Sequence, residues 1–199
     1  MKRETRNLLL IAVAAALVGG VAAFIVEGPG PLLRTEAGQR ALNAVIQRDA
    51  PEGLAIAKRG EPMPRPQVWT LEGKRIDLPI AKGRPMLINV WATWCGPCIK
   101  EMPELAEFSH SQGARGVQVI GLALDDVDAV KAWLARLPSP YAHYRDDAGP
   151  RDAGVVLGNP AGVLPYTILI DADGVVRKQQ VGPFASAADI ADWSGTDAN

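Results

Sequence analysis

Hydrophobic and polar residues along the chain separate one long apolar segment from a series of shorter ones. Residues 8–26 form an uncharged and almost wholly apolar run of 19 residues. As a helix with a rise of about 1.5 Å per residue, this run nearly matches the ~30 Å hydrocarbon core of a bilayer. The pattern therefore predicts a transmembrane helix ahead of a domain that contains the shorter apolar segments.

The charges on either side of this run predict its orientation. Three basic residues precede the run: Lys2, Arg3 and Arg6. Because positive charge stays on the cytoplasmic side, residues 1–7 are expected in the cytoplasm and the domain on the periplasmic or extracytoplasmic side of the inner membrane. A cleaved signal peptide is the alternative, since residues 21–23 loosely resemble a cleavage site. Its apolar region is ordinarily only about 7 to 15 residues long, which favours an uncleaved single-pass anchor.

Residues 27–59 are interpreted as a juxtamembrane linker and helix. Residues 28–31 read Gly-Pro-Gly-Pro, which breaks regular structure just outside the membrane. Thr35 can then cap a helix. The apolar residues that follow recur at helical spacing: Ala37, Ala41, Leu42, Val45 and Ile46.

Beyond residue 60 the apolar segments alternate between strand-like and helix-like patterns. Strands are predicted at 67–71, 75–78, 86–91, 117–123, 166–171 and 175–181. Helices are predicted at 95–110, 128–136 and 185–193, with a loop-rich stretch at 138–162. Alternating strands and helices favour a parallel sheet core with helical crossovers, here closed by an antiparallel hairpin. We therefore expect residues 60–199 to form one α/β domain.

Composition and charge narrow the range of functions. The chain is 48% hydrophobic and has a formal net charge of −1. The hydrophobic fraction is typical of a globular domain with structured turns, and the part beyond residue 26 is long enough to bury a core. A net charge near zero gives no field that would attract nucleic acid. We therefore predict no nucleic-acid partner.

The chemistry of the chain centres on its two cysteines, Cys95 and Cys98, which directly follow the strand predicted at 86–91. On the first turn of a helix, residues three apart approach closely enough at Cβ to form a disulfide. Unpaired N–H groups and the helix dipole at the N-terminus lower the pKa of the Cys95 thiol, so Cys95 is predicted to attack. Cys98, one turn inside, is predicted to resolve the resulting mixed disulfide. Pro97 fits an early helical position, where its missing N–H costs nothing.

A structural disulfide and half of a zinc site are the alternatives for this cysteine pair. Zinc requires four ligands, and the other soft candidates, His110 and His143, have no ligand-pair spacing and are expected on the surface or in loops. Three acids lie at the start of the helix predicted at 128–136: Asp125, Asp126 and Asp128. Acids in this position ordinarily cap a helix and complement its dipole. We therefore predict no metal site.

Residues 88–98, which read Ile-Asn-Val-Trp-Ala-Thr-Trp-Cys-Gly-Pro-Cys, resemble the active-site strand and turn of the thioredoxin superfamily. More narrowly, they resemble the membrane-anchored TlpA-like thiol:disulfide oxidoreductases of the bacterial cell envelope. Residues 60–64 are similar to the Gly-x-Pro-x-Pro segment of that family, and residues 164–171 to the strand that carries its cis-proline. The resemblance implies a thioredoxin-like mixed sheet flanked by helices, preceded by an N-terminal transmembrane helix.

The resemblance also assigns a role to Glu101. Many thioredoxins have a proton-moving aspartate where this chain has Asn89, which cannot titrate. TlpA-like relatives often have asparagine there, together with a glutamate one helical turn beyond the second cysteine, and Glu101 occupies that place. The resemblance implies that Glu101 takes the proton of Cys98. From its spacing alone, Glu101 is equally consistent with an exposed residue on the helix surface.

The remaining site residues are those implied to touch a substrate. A proline bond is usually trans, but the resemblance implies that Pro165 is cis and that Leu164 presents its backbone to the substrate chain. Trp94 and Trp91 are candidates for an aromatic rim, although core packing explains Trp91 equally well. The predicted substrate-binding residues are Trp94, Gly96, Pro97, Leu164 and Pro165.

The sequence thus predicts a redox protein that exchanges disulfides with envelope proteins, more readily as a reductant. Gly96-Pro97 resembles the dipeptide of reducing thioredoxins, whereas strongly oxidising relatives usually carry a histidine there. The electrons move through two sulfurs, so no organic cofactor is required. The implied partners are a membrane electron donor and apocytochrome c or another cysteine-containing apo-protein. The alternatives are a disulfide oxidase or isomerase, and a copper or apo-protein chaperone that uses Cys95 and Cys98 as ligands.

Overall fold

The computed structural model of the chain describes residues 33–80 and 82–195. Contacts along the chain divide it into two units, residues 1–41 and residues 42–199. The segments predicted as a cytoplasmic end, at 1–7, and as a transmembrane helix, at 8–26, lie outside the described residues. Within the described ranges, no helix is long and apolar enough to cross a membrane.

One mixed sheet forms the centre of the second unit. Its strands are β1 (Gln67–Thr70), β2 (Arg75–Asp77), β3 (Met86–Trp91), β4 (Gln118–Leu124), β5 (Ala142–Asp146), β6 (Tyr166–Ile170) and β7 (Val176–Val181). The helices are α1 (Glu36–Ile46), α2 (Gly96–Gln112), α3 (Val127–Arg136), α4 (Ala153–Val156) and α5 (Ala187–Ser194), and a short 3₁₀ turn, Gln47–Asp49, follows α1.

The strands are ordered β2-β1-β5-β4-β3-β6-β7. β3, β4 and β5 run parallel to one another, while β6 and β7 add on the other side of β3 as an antiparallel hairpin. β1 pairs antiparallel with both β2 and β5. All six residues of β3 are buried, as expected for a central strand covered on both faces. The predicted thioredoxin-like mixed sheet is confirmed.

Successive residues of β3 point to opposite faces of the sheet. Ile88 and Val90 belong to a core shared with Ile46, in the last turn of α1, and Ala153, in α4. The opposite face packs on α2, α3 and α5, through a core around Leu87, Leu105, Phe108 and Ile190 and another around Trp91, Cys98, Met102 and Val130. The cysteine pair therefore lies on the face of the sheet covered by α2 and α3.

The prediction of a loop-rich stretch at 138–162 is wrong, because these residues contain β5 and α4. β5 has no clear alternation of apolar and polar residues, but its backbone pairs with β4 on one side and β1 on the other. α4 is only four residues long, too short for a hydrophobic period, and begins where the Asp152 side chain accepts a hydrogen bond from the N–H of Val155 at 2.9 Å. Pairing and capping within the fold determine both elements.

A row of polar and small residues crosses the sheet on the face that α2 covers. The strand register places Thr167, Asn89, Gly121 and His143 side by side on β6, β3, β4 and β5. His143 is buried, so the prediction that it lies on the surface or in a loop is wrong. The reason is β5, which carries this side chain into the core. His110, by contrast, is exposed at the end of α2, as predicted.

Gly121 makes room in this row for two aromatic rings. A Cβ on Gly121 would collide with the imidazole of His143 and would approach Trp91 Nε1 to 3.1 Å. The His143 ring packs on Tyr141, with centroids 4.8 Å apart, and edge-on to Trp91 at 5.5 Å. Neither His143 ring nitrogen has a hydrogen-bond partner among the described residues.

The close packing around Gly121 predicts a stability difference between two glycine substitutions. Gly121→Ala is expected to lower the free energy of unfolding by about 1–3 kcal/mol, because the added methyl group overpacks the core. Gly149→Ala is the matched control, since a Cβ there meets nothing within 4 Å, and should change stability by less than about 0.5 kcal/mol. Urea denaturation of both variants measures the difference. Equal stabilities would show that the sheet accepts a side chain at this position.

Candidate active site

The site is built on the turn between β3 and α2. β3 ends at Trp91, and the N–H of Cys95 donates to the carbonyl oxygen of Ala92 at 3.1 Å, which closes the turn. Cys95 is the N-cap of α2, and its Sγ accepts a hydrogen bond from the N–H of Cys98 at 3.3 Å. The predicted position of Cys95 at a helix N-terminus is confirmed, and Pro97 lies in the first turn, where its missing N–H leaves no helical hydrogen bond unmade.

Cys95 and Cys98 form a disulfide, with Cα atoms 5.3 Å apart. The two cysteines differ in exposure, because Cys95 keeps 5% of its surface exposed and Cys98 keeps none. An incoming thiol or disulfide therefore meets Cys95 first. This order agrees with the division of roles predicted for the two cysteines, which itself stays a prediction.

Pro165 lies on the segment that leads into β6. The Leu164–Pro165 peptide bond is cis, as the resemblance implies. The Leu164 side chain packs against the hydrophobic core that contains Cys95 and Cys98. The structure thus brings the predicted substrate-binding pair beside the disulfide, although some 70 residues separate the two segments along the chain.

The two tryptophans near the cysteines have different environments. Trp94 is 69% exposed, immediately before Cys95, and remains a candidate contact for a substrate. Trp91 is fully buried and packs edge-on to Trp133, with ring centroids 5.5 Å apart. The suggestion that Trp91 contributes to an exposed aromatic rim is therefore wrong, and core packing explains this residue. Gly96 and Pro97 are exposed next to Trp94.

Glu101 lies on the buried face of α2, with only 1% of its surface exposed. Its Oε1 accepts a hydrogen bond from Asn89 Nδ2 at 2.8 Å, and its Oε2 accepts one from the N–H of Phe184 at 2.9 Å. These contacts exclude the interpretation of Glu101 as an exposed residue on the helix surface. Asn89 Nδ2 also donates to Thr167 Oγ1 at 3.1 Å, so the polar row described above continues to this carboxyl group.

Burial raises the pKa of Glu101 to about 7, against the opposing effect of the hydrogen bonds from Phe184 and Asn89. A group with this pKa exchanges a proton readily at neutral pH. Glu101 follows Cys98 by three residues in α2, so both side chains lie on the same face of the helix. This placement agrees with the proton-accepting role that the resemblance implies for Glu101, which stays a prediction.

The sequence did not reveal two residues of this hydrogen-bond network, Thr167, which accepts from Asn89, and Phe184, which donates to Glu101. Thr167 is a polar residue inside an apolar strand, the same signal that drew attention to Asn89. Phe184 contributes a backbone N–H, and a backbone donor cannot be recognised from the residue type at that position. Its contact with Glu101 spans 83 residues of sequence.

The acids before α3 act as hydrogen-bond acceptors within the fold. Asp126 is the N-cap of α3, and its Oδ1 accepts from the N–H groups of Asp128 and Ala129 at 2.8 and 3.4 Å. Asp125 instead accepts from Thr93. Across residues 33–80 and 82–195, no group of three or more His, Cys, Asp or Glu side chains is placed to hold a metal ion.

Comparison with known proteins places this fold and site in a family. A family model described as redoxin matches residues 58–193. The thiol-disulfide oxidoreductase ResA of Bacillus thuringiensis (strain Al Hakam) is 39% identical over 126 residues, which cover 62% of this chain and 69% of that protein. The thiol:disulfide interchange protein DsbE of Vibrio cholerae is 38% identical over 143 residues, which cover 69% and 73%.

A solved structure gives the same result for the fold. The thioredoxin-related protein from Neisseria meningitidis serogroup B is 29% identical, with a TM-score of 0.57, and the match covers 64% of this chain and 96% of that one. A thioredoxin-like sheet that carries a cysteine pair at a helix N-terminus defines a thiol-disulfide oxidoreductase. The chain belongs to the redoxin family and, within the thioredoxin superfamily, is a TlpA-like oxidoreductase.

Glu101 and His143 give the stability of the domain opposite dependences on pH. Because folding raises the pKa of Glu101 from 4.5 to about 7, the folded state keeps a proton that the unfolded state loses, and stability falls as pH rises through this window. Burial lowers the pKa of His143 from 6.5 to about 4. The unfolded state then takes up a proton first, so stability falls as pH drops through this second window. Where the windows overlap, the two contributions oppose each other.

We predict that single substitutions separate the contributions of Glu101 and His143 to the pH dependence of the free energy of unfolding. Relative to the unsubstituted chain, the free energy of unfolding of Glu101→Gln should rise by roughly 2–3 kcal/mol between pH 4.5 and 6.5, because only the His143 contribution remains. His143→Phe should show the opposite slope, and the double variant should be nearly flat. Urea denaturation of the oxidised full chain in mild detergent measures these profiles. If Glu101→Gln ran parallel to the unsubstituted chain, Glu101 would not hold a proton in the folded state at these pH values.

Proposed function

We propose that this chain is an inner-membrane protein that reduces disulfides of exported apo-proteins, such as apocytochrome c, on the periplasmic or extracytoplasmic side. The observation that carries the proposal is the asymmetry of the cysteine pair. Cys95 caps α2 and is 5% exposed, whereas Cys98 is fully buried on the helix face that it shares with Glu101. The apolar run at 8–26 and the basic residues before it support a single-pass anchor with this orientation.

The geometry supports a two-step reduction. The Cys95 thiolate attacks one sulfur of the substrate disulfide, which forms a mixed disulfide and releases the other substrate sulfur as a thiolate. Glu101 accepts the proton of Cys98, and the Cys98 thiolate then attacks the Cys95 sulfur. This step closes the Cys95–Cys98 disulfide and releases the second substrate thiolate. Two electrons move from the dithiol to the substrate, and a membrane donor must then return two electrons to the chain.

The surface around Cys95 offers a place for the substrate chain. Trp94 is exposed, Gly96 and Pro97 lie beside it, and the Leu164–Pro165 segment packs on the same cluster as the two cysteines. Trp94 supplies an apolar face to a peptide. We assign substrate contact to these five residues.

The dipeptide between the cysteines supports the reducing direction. Histidine at either position would add a charge that stabilises the Cys95 thiolate and therefore the reduced form. Gly96 and Pro97 bring no charge. Compared with a relative that carries histidine there, the dithiol of this chain should therefore be the better electron donor, and its disulfide should be harder to reduce.

The roles of the two cysteines are tested by trapping. Cys98→Ser should accumulate mixed disulfides, because Cys95 can still attack but nothing resolves the product. Cys95→Ser is the matched control and should trap no partner, since its remaining thiol is buried. Non-reducing gels of cells that express each variant report the trapped species. Partners trapped by the Cys95 variant and absent from the Cys98 variant would reverse the assignment.

The direction of the reaction is tested by the redox state of the pair in growing cells. We expect Cys95 and Cys98 to be mostly free thiols after rapid acid quenching and thiol alkylation, because a membrane donor keeps resupplying electrons. Removing that donor should shift the pair to the disulfide. A pair found mostly as a disulfide in healthy cells, in a chain that also oxidises a reduced peptide in vitro, would establish an oxidase.

A further inference from the structure

Asp125 lies at the same edge of the sheet as the cysteine turn. β3 and β4 run parallel, with Trp91 opposite Ala123. Thr93 and Asp125 each follow two residues later. Because parallel strands end at the same edge of a sheet, the register alone brings these two residues together.

The Asp125 carboxylate binds Thr93 through both backbone and side chain. Its Oδ2 accepts hydrogen bonds from the N–H of Thr93 at 2.8 Å and from Thr93 Oγ1 at 2.6 Å, and its Oδ1 accepts one from the N–H of Asp126 at 2.8 Å. Burial opposes the charge, but these hydrogen bonds outweigh it and lower the pKa of Asp125. Asp125 is therefore a charged acceptor at neutral pH, and hydrogen bonds to charged acceptors are the stronger ones.

Thr93 belongs to the turn that presents the reactive sulfur. The turn runs from Ala92 to Cys95 and is closed by one backbone hydrogen bond of 3.1 Å. Trp94, at 69% exposure, has little packing to hold this segment. The contacts from Asp125 are side-chain hydrogen bonds that join the turn to the end of β4, one residue before Trp94 and two before Cys95.

We propose that Asp125 is a positioning residue that fixes the turn from Ala92 to Cys95 and so holds the Cys95 sulfur over the N-terminus of α2. The inference rests on the proposed function, in which Cys95 is the attacking thiol. Small displacements of a reacting atom cost large factors in rate. A loosened turn would also weaken the hydrogen bond from the N–H of Cys98 to Cys95 Sγ, which favours the thiolate.

The chain offers a matched control next to Asp125. Asp126 is also a carboxylate and also accepts backbone hydrogen bonds, but it caps α3 and makes no hydrogen bond to Thr93. Asp126→Ala therefore reports on general destabilisation of this corner. Asp125→Asn keeps an oxygen that can accept from Thr93 but removes the charge and the second oxygen, which accepts from the N–H of Asp126. Asp125→Ala removes both oxygens.

The experiment measures the rate at which iodoacetamide alkylates Cys95 across a pH series, in the reduced full chain with Cys98→Ser as background. We expect Asp125→Ala to raise the apparent pKa of Cys95 and to lower the rate at neutral pH by about tenfold. Asp125→Asn should lower the rate by less than Asp125→Ala, because it keeps weaker hydrogen bonds to Thr93, and Asp126→Ala should stay within about twofold of the background protein. Thr93→Val, which loses the hydroxyl group, should also raise the apparent pKa of Cys95 and lower the alkylation rate. Thr93→Ser, which keeps the hydroxyl group, should alkylate at the rate of the background protein.

Three results would overturn the inference. Equal profiles for Asp125→Ala and Asp126→Ala would reduce Asp125 to a structural residue. Equal profiles for Asp125→Ala and Asp125→Asn, with a lower Cys95 pKa in both, would show that only the charge matters. If Asp125→Ala left the pH profile of Cys95 alkylation unchanged, Asp125 would have no role in positioning Cys95. Alkylation needs no disulfide substrate, so failure of the unsubstituted chain to reduce a disulfide peptide would count against the proposed function alone.

Discussion

A carboxyl group buried inside a protein needs hydrogen-bond donors. In this domain the donors to the buried Glu101 come from elements that are far apart in the sequence. Glu101 extends from α2 and receives one donor from Asn89 in β3 and another from the backbone of Phe184, just before α5. A buried carboxyl group without such partners would be strongly unfavourable. These bonds therefore fix α2 against the sheet and the C-terminal segment. The cysteine pair, on the first turn of the same helix, takes its position from this arrangement.

The Asn89 side chain hydrogen-bonds to one titratable group, the Glu101 carboxyl group. Asn89 donates to Glu101 and to Thr167, and it does so at every pH. An aspartate at position 89 would instead place a second carboxyl group within hydrogen-bonding distance of the first. Two such groups share protons and titrate as a pair. With asparagine at this position, Glu101 titrates without a second carboxyl group as its hydrogen-bond partner.

Much of the fold and the centre of the site followed from local sequence signals. The strand at 86–91, the cysteine pair and the helix that it caps were predicted because an apolar run, a helix start and reactive side chains are adjacent in the chain. β5 and its buried His143 were not predicted, since pairing with neighbouring strands determines that segment and its own pattern does not. The burial of Glu101 was left open for a related reason. Helical spacing places it beside Cys98, but its donor at Phe184 is contributed by a distant part of the chain.

The burial of Cys98 also has a protective consequence. Peroxides and other small oxidants meet Cys95, the more exposed of the two cysteines, before Cys98, and first convert a thiolate to a sulfenic acid. Further oxidation to the sulfinic acid is generally irreversible. Cys98 lies within bonding reach of Cys95 and has no exposed surface of its own, so it can condense with the sulfenic acid and return the pair to an ordinary disulfide. The position of Cys98 that we propose for resolving a mixed disulfide would thus also limit permanent oxidative inactivation.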